Sequence, residues 1–99
     1  MGRRAYPPLT PDQVISILTA LGFSKKGQVG SHAQYHRPAD RDRKAALVTV
    51  DMHYREFDDD LMHSMVRQSL FDRKVFYGAT KETARRASVP FLAPSLSQG

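Results

Sequence analysis

Apolar side chains along this chain change their spacing twice, from three-and-four to two and back again, and that order dictates helix, then strands, then helix. Val14, Ile17, Leu18 and Leu21 recur at i, i+3, i+4 and i+7, one face of an amphipathic helix. Thr10 precedes Pro11, which suits a first helical turn, and its offset to Gln13 matches a capping box; Gly22 should end the helix. The period then falls to two. Residues 23–29 and 32–37 flank Gly30 and Ser31, and the second run alternates His32, Gln34 and His36 with Ala33, Tyr35 and Arg37, which predicts a hairpin turning at the glycine-serine pair. After a polar loop at 38–44, residues 46–52 put Ala46, Val48, Val50 and Met52 on one face and Leu47, Thr49 and Asp51 on the other. Helical spacing returns over 57–70, where Met62, Met65, Val66 and Ser69 form a stripe. Asp58, Asp59 and Asp60 stand in its first turn, against the positive end of the helix dipole.

The order predicts an α+β unit: a three-stranded antiparallel sheet with both helices on one face and the other face open. If Val48, Val50 and Met52 face the helices, then Thr49, Asp51 and His53 face outward. Short C-terminal helical segments are predicted beyond, the first capped by Asp72 and stopped by Gly78, the second opened by Thr80 and running to about Arg86. Residues 1–9 hold two prolines and no periodicity and read as a flexible lead. Residues 10–87 form the domain, and 88–99 read as a disordered tail.

Composition bounds what such a unit can be. At 99 residues, 40% hydrophobic and 25% charged, the chain fits one small domain with a modest core. Its longest apolar run is only residues 45–48, so no membrane span is expected. The first residues carry two arginines but continue into Tyr6, Pro7 and Pro8 rather than an apolar segment, so no secretory signal is expected either. With no cysteine there is neither a disulfide framework nor a thiolate for nucleophilic or zinc chemistry, and a cytoplasmic location follows as the expectation. Fifteen Lys and Arg against ten Asp and Glu give +5. Residues 51–60 hold five carboxylates against Arg55, a net of −4, which leaves +9 on the remainder. An anionic partner, nucleic acid foremost, suits that remainder; solubility charge alone is the plainer reading.

Among side chains able to do chemistry, His32 stands out. It follows the Gly30-Ser31 turn at the head of a strand, where a ligand backbone can approach closely, and histidine serves as general acid or base near neutral pH without a metal. Position alone does not separate that role from a plain surface histidine. The stretch Gly30-Ser31-His32-Ala33-Gln34-Tyr35-His36-Arg37-Pro38, with Leu21-Gly22-Phe23 before it and Val48-Thr49-Val50 after it, resembles the HicA (YcfA-like) toxin family. The hallmark is a glycine-serine-histidine turn, an aromatic three residues after the histidine and often a proline three beyond that. The resemblance covers roughly residues 14–86.

The resemblance implies a double-stranded-RNA-binding-like fold and a toxin-type endoribonuclease that cuts messenger RNA, neutralised by a HicB-like antitoxin. It also implies that the family's catalytic histidine is His32 here. His32 would then deprotonate the ribose 2′-hydroxyl for in-line attack on phosphorus, a route open to RNA but not DNA; a hydrolytic route through water would look the same in sequence. No general acid can be named: His36 shares the strand face but lies about 13 Å along it, while His53, Lys25, Lys26 and Arg37 stay open for the leaving group or the phosphorane charge. Tyr35, on the opposite face, is expected in the core.

Lys25 and Lys26, with Arg37, Arg41, Arg43 and Lys44, flank the turn, so RNA binding is assigned to Gly30, Ser31, Lys25, Lys26 and Arg37. Two departures from the resemblance matter. Double-stranded-RNA-binding domains present lysines where this chain has Asp58, Asp59 and Asp60, and relatives often close the second helix with a glycine where this chain has Ser69 and Leu70. Consecutive aspartates in one helical turn point in different directions and do not converge on an ion, so no metal or small-molecule cofactor is expected. The alternative to a ribonuclease is a non-catalytic RNA-binding or protein-interaction module of the same fold.

Overall fold

A computed structural model describes residues 6–93 of the chain. The first helix, α1 (Pro11–Ala20), starts where the capping box demands. The Thr10 hydroxyl accepts from the Gln13 N–H at 3.2 Å, and the Gln13 side chain accepts from the Thr10 N–H at 2.9 Å. It ends as expected: the Gly22 N–H bonds the Thr19 carbonyl and the Phe23 N–H the Leu18 carbonyl, with Gly22 at φ +98°, where a side chain would be strained. Val14, Ile17 and Leu18 are fully buried.

Three strands follow, β1 (Ser24–Val29), β2 (His32–Arg37) and β3 (Ala46–Asp51), antiparallel in the order β1-β2-β3. Alternation sets the faces of β2 and β3. Ala33, Tyr35, Val48 and Val50 are buried against the helices, while His32 and Leu47 are exposed and Gln34, His36, Thr49 and Asp51 are partly exposed on the other side. β1 has no buried residue at all. Its Lys-Lys-Gly-Gln interior carries no apolar side chain to bury, so the strand is held by its ladder to β2, and a register shift between Lys25 and Gly27 leaves Lys26 bulged.

The chain then forms α2 (Asp59–Ser69), α3 (Arg73–Tyr77) and α4 (Lys81–Ala87), whose N-caps Asp58, Asp72 and Thr80 each accept from a backbone N–H three residues on. Buried residues of α1, α2 and α3 and the inner face of the sheet share one core with Leu9, Phe23 and Phe57. Both long helices thus cover one face and the other is open, the arrangement that the spacing predicts.

The two expected terminal segments are only partly described. Residues 1–5 and 94–99 lie outside the described residues. Within the lead, Leu9 is fully buried and bridges Phe57, the Tyr6 N–H bonds Asp59, and the Pro7 and Pro8 carbonyls accept from the Tyr77 hydroxyl and Arg86 Nε. Residues 6–9 are therefore a packed arm: Leu9 supplies apolar surface that the missing periodicity of a four-residue segment does not reveal. At the other end, the Val89 N–H bonds the Ala84 carbonyl and the Leu92 N–H the Gly78 carbonyl.

Candidate functional site

The Gly30-Ser31 turn joins Val29 and His32, which pair directly across the hairpin. Gly30 is at φ +59° and Ser31 is not in the left-handed region, so positive φ falls only on the first central residue, as a type II′ turn requires. A side chain at Gly30 would meet nothing within 4 Å, so the tip of the turn is sterically open. His32 opens β2 beside it, its side chain 58% exposed.

The ladder between β2 and β3 places Asp51 directly opposite His32. Cross-strand partners share a face and stand within side-chain reach, and here His32 Nε2 lies 3.4 Å from Asp51 Oδ2. The other carboxylate oxygen accepts from the Ser31 hydroxyl at 2.7 Å and from the His53 N–H at 3.0 Å. Those bonds, the His53 N–H first, then the Ser31 hydroxyl, hold the Asp51 carboxyl below the ordinary 3.8. The Met52 N–H donates to the Ser31 carbonyl, closing the sheet end over the turn. Ser31, His32, Asp51 and the His53 backbone thus form one bonded group.

This group opens on a cavity of about 230 Å³ between the end of β3 and α2. Leu61, Ser64, Met65 and Gln68, spaced at one helical face of α2, line it together with Tyr54 and Phe57. A chain of amides and hydroxyls spans the layers: the Thr49 hydroxyl donates to Gln34 Oε1 at 3.1 Å, and the Thr49 N–H to Gln68 Oε1 at 3.2 Å.

The basic residues named from sequence lie elsewhere. Lys25 and Lys26 are exposed on β1; Lys25 pairs with Tyr35, which points to the helical side, and its ammonium bonds the Gln28 side chain. Arg37, at the far end of β2, donates to the Leu21 carbonyl and to Asp40 and packs its guanidinium 5.3 Å from the Phe71 ring centre. Arg43 covers the same ring at 4.0 Å. His36 pairs with Ser24 and Leu47, four residues from His32 along β2. The acidic run is occupied at two positions: Asp58 caps α2 and Asp59 accepts from the Tyr6 N–H.

The residue that sequence reasoning left out of the site is Asp51. Its outward direction follows from the alternation, but its pairing with His32 depends on the register across a loop of eight residues, Pro38 to Ala45, between β2 and β3. The signal was present in the apolar pairs, since aligning Ala33 with Val50 and Tyr35 with Val48 brings His32 to Asp51.

An α+β protein of a single open sheet, with an exposed histidine paired to a carboxylate at the end of a hairpin, is the class that fold and site define. A family model described as HicA toxin of bacterial toxin-antitoxin matches residues 11–69, more than half of the chain, and the protein belongs to that family. The match runs from α1 through α2 and contains the whole sheet, the Gly30-Ser31-His32 turn and Asp51. No curated protein matches the chain. Among the described residues, no helix is long and apolar enough to cross a membrane.

Proposed function

We propose that this toxin is an endoribonuclease that cleaves messenger RNA by metal-independent acid/base chemistry centred on His32, acts in the cytoplasm, and is neutralised by a HicB-like antitoxin. The observation that carries the reading is the exposed His32 at the open mouth of a turn, oriented by a carboxylate and bordering a cavity. In the proposed reaction His32 takes the proton of a ribose 2′-hydroxyl, the oxygen attacks the adjacent phosphorus, and the bond to the 5′ oxygen breaks as that oxygen takes a proton from water, giving a 2′,3′-cyclic phosphate and a free 5′-hydroxyl. With Asp51 Oδ2 3.4 Å from Nε2, Nδ1 is the nitrogen left to act as the base. In this scheme Asp51 is a positioning residue that faces the imidazole from the paired strand.

Gly30 and Ser31 would let the RNA backbone close on His32, and exposed Lys25 and Lys26 would hold phosphates along β1. Arg37 completes the set at the far end of β2, where its bonds to Leu21 and Asp40 fix the direction of its guanidinium. No cofactor enters this scheme.

The test is induction of the wild-type protein beside His32→Ala, following growth and reporter messenger in the same cultures, with cleavage by the purified proteins assayed in chelator. Arrest and messenger loss with wild type alone, and cleavage surviving the chelator, are the expected results. Equal harmlessness of both folded proteins would favour an RNA-binding or interaction module instead.

A further inference from the structure

We propose that the cavity beside His32 is a nucleobase pocket that selects a base with a carbonyl in the place of uracil O4 or guanine O6, through Gln68, and stacks it on Tyr54. The inference rests on the ribonuclease reading only for the part played by His32. Size is the first argument. At about 230 Å³ the cavity falls below the roughly 300–1,000 Å³ of pockets that take drug-sized ligands, so it suits a single planar base rather than a longer ligand.

Its walls supply the two elements by which proteins hold an unstacked base, an aromatic ring and fixed hydrogen-bonding groups. Tyr54 is 41% exposed, and its ring is propped by neighbours, 5.7 Å from the His53 ring and 5.7 Å from the Phe57 ring. A ring held in this way offers a stacking surface with little freedom to lose. Gln68 lines the same cavity. Because Gln68 Oε1 accepts the Thr49 N–H, the orientation of its amide is set, and its NH2 group, which has no partner among the described residues, is a donor of fixed polarity. Ser64, one turn earlier on the same face of α2, adds a hydroxyl that also has no partner among the described residues.

A donor of fixed polarity set against this edge of the base pairs with O4 of uracil or O6 of guanine, and at the same position meets a like donor in the N4 amino group of cytosine or the N6 amino group of adenine. His32 lines the same cavity, so a base seated there brings its own ribose and phosphate to the imidazole. The pocket would therefore choose the nucleotide at the cut.

The measurement is an NMR titration of the full-length protein with the four nucleoside 3′-monophosphates, which cannot be cleaved further. The uridine and guanosine compounds are expected to shift the Gln68 side-chain amide and the Tyr54 ring signals and to bind about fivefold more tightly than the other two. Tyr54→Ala should weaken all four about tenfold, with Tyr54→Phe close to wild type. Gln68→Glu keeps an oxygen for the Thr49 N–H but presents an acceptor to the base, so the preference should invert, and Gln68→Ala should abolish it. An unchanged preference in both Gln68 variants, shifts confined to other surfaces, or no binding of any monophosphate would each overturn the pocket. Cleavage of an oligonucleotide is followed separately: selective binding without cleavage would sink the ribonuclease reading and keep the pocket, and cleavage without selective binding would do the reverse.

Discussion

In the proposed reaction Asp51 acts on His32 without itself touching a substrate. Its Oδ1 is held by Ser31 and His53, so only Oδ2 is left for His32 Nε2. Asp51→Asn would keep an oxygen for the first two donors and turn an N–H toward Nε2, which forces the proton onto Nδ1 and removes the proposed base. Cleavage is expected to fall by about tenfold to a hundredfold, less than at fully buried His–Asp pairs because both side chains here meet solvent, with thermal stability nearly unchanged. Single-turnover rates beside a melting curve would decide it, and a rate equal to wild type would remove Asp51 from the mechanism. The sign of the pH effect follows from the lowered carboxyl: whatever stability its ionised form contributes is present above 3.8 and lost as pH falls through its depressed value in the fold. Asp40, lowered chiefly by the Arg37 hydrogen bond and then by the N–H groups of Asp42 and Arg43, behaves in the same sense. The outward direction of both His32 and Asp51 was legible in the alternation. Their pairing was carried only by the match of Ala33 with Val50 and Tyr35 with Val48, a weak signal because the eight-residue loop between the strands sets no alignment of its own. Arg37 was legible as a charge but not as a strut, since its partner Leu21 contributes a backbone carbonyl, which no residue type announces.

At the scale of the element, helices whose apolar faces and caps agree were readable almost to the residue. Thr10, Asp72 and Thr80 each cap where sequence places them. Helix α2 begins two residues later than the spacing suggests, because Asp58 is its cap and Phe57 is tied to Leu9. Its end is the less conventional part. Leu70 closes α2 at φ +67°, in the left-handed region that glycine occupies without cost, and its side chain is 45% exposed. Leu70→Gly removes that strain while losing little packing, and the carbonyl that accepts from Arg43 is retained. A gain of about 0.5–1 kcal/mol is expected in urea unfolding, and a loss would show that the Leu70 side chain packs more than its exposure suggests. The strand β1 was predicted as a strand but not as a wholly exposed one. Period-two arguments assume an apolar set to bury, and Lys25, Lys26, Gly27 and Gln28 have none.

For the whole molecule, the uneven charge governs how an anion meets the surface. With −4 gathered in residues 51–60 and +9 elsewhere, salt-dependent contacts are expected away from the start of α2, and the proposed RNA path puts them on β1. Replacing Lys25 and Lys26 together with alanine should lower the slope of log affinity for single-stranded RNA against log salt by about 0.7 for each lysine. A slope equal to wild type would take β1 out of the RNA path. Stability at this scale depends on segments outside the matched residues 11–69. Burial pushes the Tyr77 hydroxyl well above its ordinary value, so it stays protonated and donates to the Pro7 carbonyl at 2.7 Å. Tyr77→Phe should cost about 1 kcal/mol in the same unfolding experiment, and no loss would mean that water replaces the bond freely. This packing was the least legible part of the chain, since the partners lie 70 residues apart and one of them is a proline carbonyl.

The same stitching has a mechanical consequence. Pro7 and Pro8 on the way in are bonded to Tyr77 and Arg86 on the way out, and Gln13 in α1 donates to Glu82 in α4. The described chain is therefore a loop fastened near its own mouth. An unfolding machine drawing on either side of the described chain loads bonds to the other side early in its pull.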